Sequence, residues 1–173
     1  MTLLDRFKQI TTFVFDLDGV LTDGALFVFP DGQFIRRMHI KDGFALQLAI
    51  KKGYRVAVIS GSQAEPVITR LNKLGVHDVY MQITDKKKKL QEYMQQHSLQ
   101  WSEVLFMGDD IPDYDVMQQV GLSCCPADAA MEIRSTSTYI SPVAGGQGCA
   151  RDVIEKVLKL NDHWELITDT PSR

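Results

Sequence analysis

The chain has 173 residues, 45% of them hydrophobic and 24% charged, which supports one sizeable core and argues against two full domains. A net charge of -3 with no clustered basic face excludes a nucleic-acid footprint, and no run of about 18 apolar residues offers a membrane span. The first ten residues carry Asp5, Arg6 and Lys8 without a signal-peptide core, so a cytoplasmic protein is expected, with Cys124, Cys125 and Cys149 as reduced thiols and no histidine zinc site.

Residues 12–15 form a short β-rich run ending at Asp16, as a buried parallel strand does before its loop, and ligand sites in open α/β sheets lie at such carboxyl ends. Asp16 and Asp18 then enter a turn at Gly19, which lets two carboxylates converge from different backbone directions. Such a pair can divide phosphoryl transfer between them, Asp16 attacking phosphorus and Asp18 moving protons. Asp and Gly are also ordinary turn residues, so the motif by itself leaves a capped loop open.

Two β-prone arms, 25–29 and 33–39, flank Pro30-Asp31-Gly32 and read as a hairpin. A helix over 43–52 ends at Gly53, and a strand over 55–59 ends at Ser60-Gly61. A helix over 65–74, a strand over 78–81 and a helix over 86–97 capped by Asp85 follow. A strand over 104–107 leads into Gly108-Asp109-Asp110-Ile111-Pro112-Asp113, then a helix over 114–120. The remainder reads as a strand at 122–125, a short helix at 128–134, an edge strand at 139–140, a helix at 152–160 and a loosely held tail at 162–173. The alternation specifies α/β architecture: one doubly wound, Rossmann-like parallel sheet with helices on both faces, a single domain over 1–173 whose small excursion is the hairpin at about 24–39.

Four strand ends thereby carry polar groups: Asp16 with Asp18, Ser60, Lys86, and Asp109 with Asp110 and Asp113. Clustered carboxylates repel unless a cation joins them, and oxygen-only donors suit a hard ion such as Mg2+. That ion would neutralise Asp16 against an incoming phosphate, while Ser60 and nearby backbone amides would hold phosphoryl oxygens. Lys86 opens a run of four lysines; Lys87, Lys88 and Lys89 read as a solvated face. A cation in a helix's first turn opposes the macrodipole, so Lys86 calls for a compensating partner such as the Asp113 carboxylate or a phosphoaspartate.

Asp16-x-Asp18-Gly-Val-x-Thr, Ser60-Gly, Lys86 and Gly108-Asp109-Asp110-x-x-Asp113 together resemble, in order and over nearly the whole chain, the four motifs of the haloacid dehalogenase superfamily of phosphatases. The resemblance implies an aspartyl-phosphate formed on Asp16, Asp18 as acid and base, and Ser60 and Lys86 holding the phosphoryl group. It implies Mg2+ bound by Asp16, the Asp18 carbonyl and Asp109, with Asp110 and Asp113 in support. Larger members carry a cap domain; the short hairpin makes this a nearly capless variant, whose site is open to large substrates or closed by a neighbouring subunit. The apolar hairpin, with Phe27, Phe29 and Phe34, is expected to pack in an oligomer.

A finer resemblance is to the 3-deoxy-D-manno-octulosonate 8-phosphate (KDO 8-phosphate) phosphatases, small tetramers of lipopolysaccharide precursor synthesis. Leu21-Thr22-Asp23-Gly24, Lys41-Asp42-Gly43, Asp85-Lys86 and Gly145-Gly146-Gln147-Gly148 followed by Arg151 carry it. It implies a homotetramer and a small phosphorylated sugar-acid substrate, contacted by Asp18, Lys41, Asp42, Gly43, Gly61, Arg70 and Lys86. Residues 145–148 resemble a mobile tail reaching a neighbouring active site, with an ordinary loop as the alternative. Ser62 and Gln47 stand where these enzymes typically carry arginine, whose fork suits a sugar-acid carboxylate. The alternatives are a nine-carbon ulosonic acid 9-phosphate (KDN or sialic-acid-like) as substrate, a regulatory homotetramer without efficient catalysis, and a signalling receiver domain, which has no need of Asp18.

Overall fold

A computed structural model describes residues 1–166 and 168 of the chain. The first helix, α1 (Leu3–Gln9), has no counterpart among the sequence expectations, because its seven residues bury only Phe7 and leave no periodicity to read. Its start is nevertheless written in Thr2 and Asp5, which cap each other's backbone N–H groups.

The elements that follow are β1 (Thr12–Phe15), β2 (Phe27–Val28), β3 (Phe34–Ile35), α2 (Ile40–Lys51), β4 (Arg55–Ile59), α3 (Glu65–Lys73), β5 (Asp78–Tyr80) and α4 (Lys86–His97). Then come β6 (Val104–Met107), α5 (Tyr114–Met117), β7 (Leu122–Cys125), α6 (Met131–Thr136), β8 (Tyr139–Ile140) and α7 (Cys149–Leu160). Six strands form a parallel sheet in the order β5-β4-β1-β6-β7-β8, and β2 pairs with β3 as a separate antiparallel hairpin. The architecture is the expected doubly wound α/β sheet.

Because β1 and β6 are buried on both faces, their alternation sorts apolar groups between two cores rather than between core and water. Phe13, Phe15, Val58, Leu105 and Met107 pack with Phe7, Leu46, Leu71, Val153 and Val157, under α1, α2, α3 and α7. Val14, Ala57, Ile59, Val104 and Phe106 pack with Leu90, Tyr93, Val116, Met117 and Ile133, under α4, α5 and α6. A one-residue slip of a central strand would exchange the side chains of the two cores, so its cost is the mismatch of shape and volume in two close-packed interiors rather than exposure to water.

Several boundaries differ from expectation for identifiable reasons. The hairpin ladder is only two residues per arm, since its side chains are exposed and no packing extends the pairing. Helix α2 begins three residues early because His39 Nδ1 accepts the Lys41 N–H (3.2 Å) as a cap. Helix α7 also begins three residues early, where Gly148 at φ +115° turns the chain. Part of the expected tail, residues 167 and 169–173, lies outside the described residues. Its first residues are packed: Tyr54 Oη lies 2.9 Å from His163 Nδ1, Trp164 meets Phe44 edge-on, and Lys52 pairs with Glu165 at 2.8 Å. Among the described residues, no helix is long and apolar enough to cross a membrane.

Candidate active site

From β1 the chain crosses to β4 on one side and later to β6 on the other, so the crevice beyond these three carboxyl ends is the sheet's topological switch point. Asp16 follows β1, Ser60 follows β4, and Gly108-Asp109 follows β6. A cleft of about 320 Å³ opens there, lined by Asp16, Asp18, Ser60, Gly61, Lys86 and Asp109 among others.

Lys86 is the first residue of α4, and its side chain is nearly sealed from solvent. Its Nζ lies 2.9 Å from Asp16 Oδ1 and 2.6 Å from Asp113 Oδ1. These carboxylates are the partners its unfavourable helix position calls for. Burial works against the ammonium charge, but the two anions outweigh it and hold the Lys86 pKa above its ordinary value. Asp113 is fully buried; its Oδ2 accepts the Asp109 N–H at 3.0 Å. Asp16 Oδ1 also accepts the Leu17 N–H at 2.7 Å, so the carboxylate is aimed by its own backbone as well as by Lys86.

Carboxylate oxygens of Asp16, Asp109 and Asp113 lie within 4.8 Å of one another. Burial, and then the charge of Asp113, pushes Asp16 upward in pKa against the pull of Lys86. Asp109 is displaced upward more strongly, by burial and then by Asp16, Asp113 and Asp110. Such displacements mark an anionic cluster short of positive charge, and the all-oxygen donor set fits a hard divalent cation. The bonds Asp113 makes to Lys86 and to the Asp109 amide leave Asp16 and Asp109 as the better placed donors. Gly19 makes room for this: at φ +85°, a Cβ there would fall 1.9 Å from Asp109 Oδ2.

Asp18 lines the same cleft but is held from the hairpin side. Arg36 donates from Nε to Asp18 Oδ1 (2.8 Å) and from Nη2 to Oδ2 (3.1 Å), and Thr22 Oγ1 donates to Oδ1 at 3.1 Å. The hairpin's return arm is tied to the loop again by Arg37 to Asp23 (2.7 Å) and by an antiparallel bridge between Thr22 and Met38. Arg36 was not singled out by the sequence reading; two adjacent arginines leaving an apolar arm were its faint signal. Ser60 is buried, its Oγ 2.9 Å from Ser62 Oγ and accepting the Ser62 N–H at 3.2 Å. Asp110 also lines the cleft, where its Oδ1 accepts the Ile111 N–H (2.8 Å) and caps the next helical turn.

Other residues expected to contact substrate lie outside this cleft. Arg70 lies on α3, against a second cavity of about 610 Å³ that Phe34, Arg36 and Gln63 also line. Lys41 is exposed at the start of α2, and Asp42 and Gly43 are buried beneath α7. There Asp42 Oδ1 accepts the Arg151 N–H at 2.8 Å, capping α7 from another helix, while Oδ2 has no hydrogen-bond partner. Residues 145–148 are not a projecting tail. Gly146 donates to the Val20 carbonyl (2.8 Å), and a Cβ on Gly145 would sit 1.9 Å from the Gly19 carbonyl, so the segment buttresses the protein's own Asp16–Thr22 loop.

Burial pushes the Asp42 carboxyl up to about 6, against the Arg151 amide and charge that lower it. The folded protein therefore holds this proton where the unfolded chain has lost it, and stability falls as pH rises through about 6. Asp42→Asn is expected to be more stable than the parent at pH 7 by about 2–3 kcal/mol, with the gain gone by about pH 4. Urea unfolding at the two pH values checks this; an equal effect at both would contradict it.

A sequence model described as haloacid dehalogenase-like hydrolase matches residues 72–151. The chain is 31% identical over 163 residues to 3-deoxy-D-manno-octulosonate 8-phosphate phosphatase KdsC of Yersinia pestis, covering 94% of this chain and 87% of that one. The crystal structure of the Yersinia pestis phosphatase superposes with a TM-score of 0.91 at 30% identity, over 93% of this chain and 87% of that one. That of the Moraxella catarrhalis phosphatase, in complex with a magnesium ion, a phosphate ion and KDO, superposes with a TM-score of 0.89 at 28% identity, over 92% of each chain.

Proposed function

We propose, from the premise that this chain belongs to the haloacid dehalogenase-like hydrolases and is a phosphoric monoester hydrolase, that it converts 3-deoxy-D-manno-octulosonate 8-phosphate to the free sugar acid and phosphate through an aspartyl-phosphate. The observation that carries the reaction is the Asp16 carboxylate, aimed by Leu17 N–H and by Lys86 at the switch point of the sheet. The eight-carbon substrate is supported by the KdsC relative and by the KDO-bound neighbour.

The residues then take the following roles. Ser60 Oγ, the Gly61 amide and Lys86 Nζ hold the phosphoryl oxygens, orienting phosphorus toward Asp16. Asp16 attacks, the bond from phosphorus to the sugar oxygen breaks, and Asp18 gives that oxygen a proton. Asp18 next takes a proton from water as the water attacks phosphorus, and the bond to Asp16 breaks. Mg2+, the cofactor of these phosphatases, would be held by Asp16 and Asp109 and supplies the positive charge that lets an anion approach an anion. Asp113 acts through its neighbours, fixing Lys86 and the Asp109 backbone. The sugar extends toward the 610 Å³ cavity walled by Arg36 and Arg70, since Arg36 lines that cavity and touches Asp18 in the cleft.

The test is phosphate release with Mg2+ from 3-deoxy-D-manno-octulosonate 8-phosphate and from a nine-carbon ulosonic acid 9-phosphate at equal concentration. Preference for the first supports the assignment. Preference for the second keeps the mechanism and replaces the substrate, and no release from either rejects the reading.

We infer the cytoplasm as compartment from three free, buried cysteines, and an oligomer from the apolar hairpin, a homotetramer by the resemblance to the KDO 8-phosphate phosphatases. Phe27 is 64%, Val28 68% and Phe34 53% exposed on a two-stranded ribbon that is apolar on both faces, Val28 with Phe34 on one and Phe27 with Ile35 on the other, which suits it to burial against other copies. The double substitution Phe27→Asp, Phe34→Asp is expected to convert tetramers to smaller species by sedimentation velocity. A parent protein that sediments as a monomer overturns the assembly.

A further inference from the structure

A sugar acid brings a carboxylate as well as a phosphate, and the positions where arginine was expected to read it are Ser62 and Gln47. Neither supplies charge, and Ser62 is bonded to Ser60. Resting on the substrate class proposed above, we infer that Arg36 is the carboxylate-binding residue: its fork, closed on Asp18 in the free protein, passes to the substrate's carboxylate when the sugar fills the adjoining cavity.

Three observations carry this. The guanidinium meets both oxygens of one carboxylate, at 2.8 and 3.1 Å, so its fork is already presented in the geometry that carboxylate recognition requires. Its place is the wall between two spaces: Arg36 lines the 610 Å³ cavity, and its partner Asp18 lines the phosphate cleft. Of the other nearby cations, Lys86 is engaged with Asp16 and Asp113 and Arg37 with Asp23 on the solvent side, while Arg70 shares the cavity wall from α3 but does not line the phosphate cleft.

Exchanging one carboxylate for another in the same fork conserves the charge pairing, so the transfer faces no large desolvation penalty. Asp18 keeps its bond from Thr22 Oγ1 after the fork leaves, which retains the carboxyl at the cleft while releasing it to turn toward the leaving oxygen. A phosphate ester without a carboxylate cannot draw the fork away, and Asp18 stays held. Recognition of the acid end and release of Asp18 are thus one event, and discrimination falls on kcat/KM.

The experiment compares 3-deoxy-D-manno-octulosonate 8-phosphate with its C1 carboxamide, for the parent enzyme, Arg36→Gln and Arg36→Lys. The parent is expected to prefer the acid by about 10- to 100-fold in kcat/KM, the range for a bidentate charged pair. Arg36→Gln brings that ratio close to one, and Arg36→Lys restores part of it, because a point charge lacks the fork. A ratio is insensitive to general damage, which lowers both substrates alike. An unchanged ratio in Arg36→Gln, or a parent enzyme that does not distinguish acid from amide, overturns the inference. Should the eight-carbon acid not be a substrate, the same ratio measured on the nine-carbon acid 9-phosphate and its amide separates the two readings: an Arg36-dependent preference there upholds the inference while the substrate assignment falls.

Discussion

Asp16→Asn is expected to abolish phosphate release, lowering kcat by about 10⁴-fold or more while the protein still folds. The amide keeps the size of the side chain and an oxygen for the Leu17 N–H, which the carboxylate accepts at 2.7 Å, so the loop entering Gly19 retains its local support. What disappears is the anionic oxygen that attacks phosphorus. Lys86 loses one of two carboxylate partners but keeps Asp113 at 2.6 Å, so no buried cation is stranded. Removing one member of a mutually repelling set also relieves the pressure that raises Asp109. The discriminating measurement is acid-quenched trapping of phosphoenzyme beside steady-state turnover. The parent forms a protein-bound phosphate that Asp16→Asn cannot. Near-parental turnover in Asp16→Asn would mean that water attacks the ester directly, and the aspartyl-phosphate mechanism would fail.

The residues legible in the sequence are those that mark where a buried strand ends. Asp16, Ser60 and Gly108-Asp109 each stop a short apolar run, and a strand buried on both faces has to be such a run. Lys86 was legible for a different reason, as a cation that opens a helix against its macrodipole; Lys87 and Lys88 share that first turn, and it is burial beside Asp16 and Asp113 that sets Lys86 apart. Arg36 was hidden because its partner Asp18 depends on how the hairpin folds back over the loop, and no periodicity encodes that path. The burial of Asp42 was not legible, because nothing in Lys41-Asp42-Gly43 shows that its carboxylate meets the backbone of Arg151, 109 positions away. For residues 145–148 a mobile tail and an ordinary loop both stayed open, because four small or polar residues carry no packing signal; the absence of a side chain at Gly145 is what lets the segment lie on the Gly19 carbonyl.

Lys86→Met is expected to cost about 3–5 kcal/mol of stability and nearly all turnover, because it leaves Asp16 and Asp113 facing each other in a site that burial has already made hostile to negative charge. Methionine preserves the apolar stem and length, so the loss is of charge rather than volume. Lys88→Met, in the same lysine run but exposed, is expected to change stability by less than about 0.5 kcal/mol. The two effects of Lys86 are separable. Adding Asp113→Asn to Lys86→Met removes one of the uncompensated carboxylates while leaving an oxygen for the Asp109 N–H, so part of the lost stability should return. Turnover should not return, since phosphoryl transfer needs positive charge beside Asp16, and no change at Asp113 supplies it. Urea unfolding and phosphate release on the single and double variants measure both. If Lys86→Met unfolded at the parental midpoint, the buried ion triad would not be what holds α4 against the end of β1, and the assignment of Lys86 to the site would have to be abandoned.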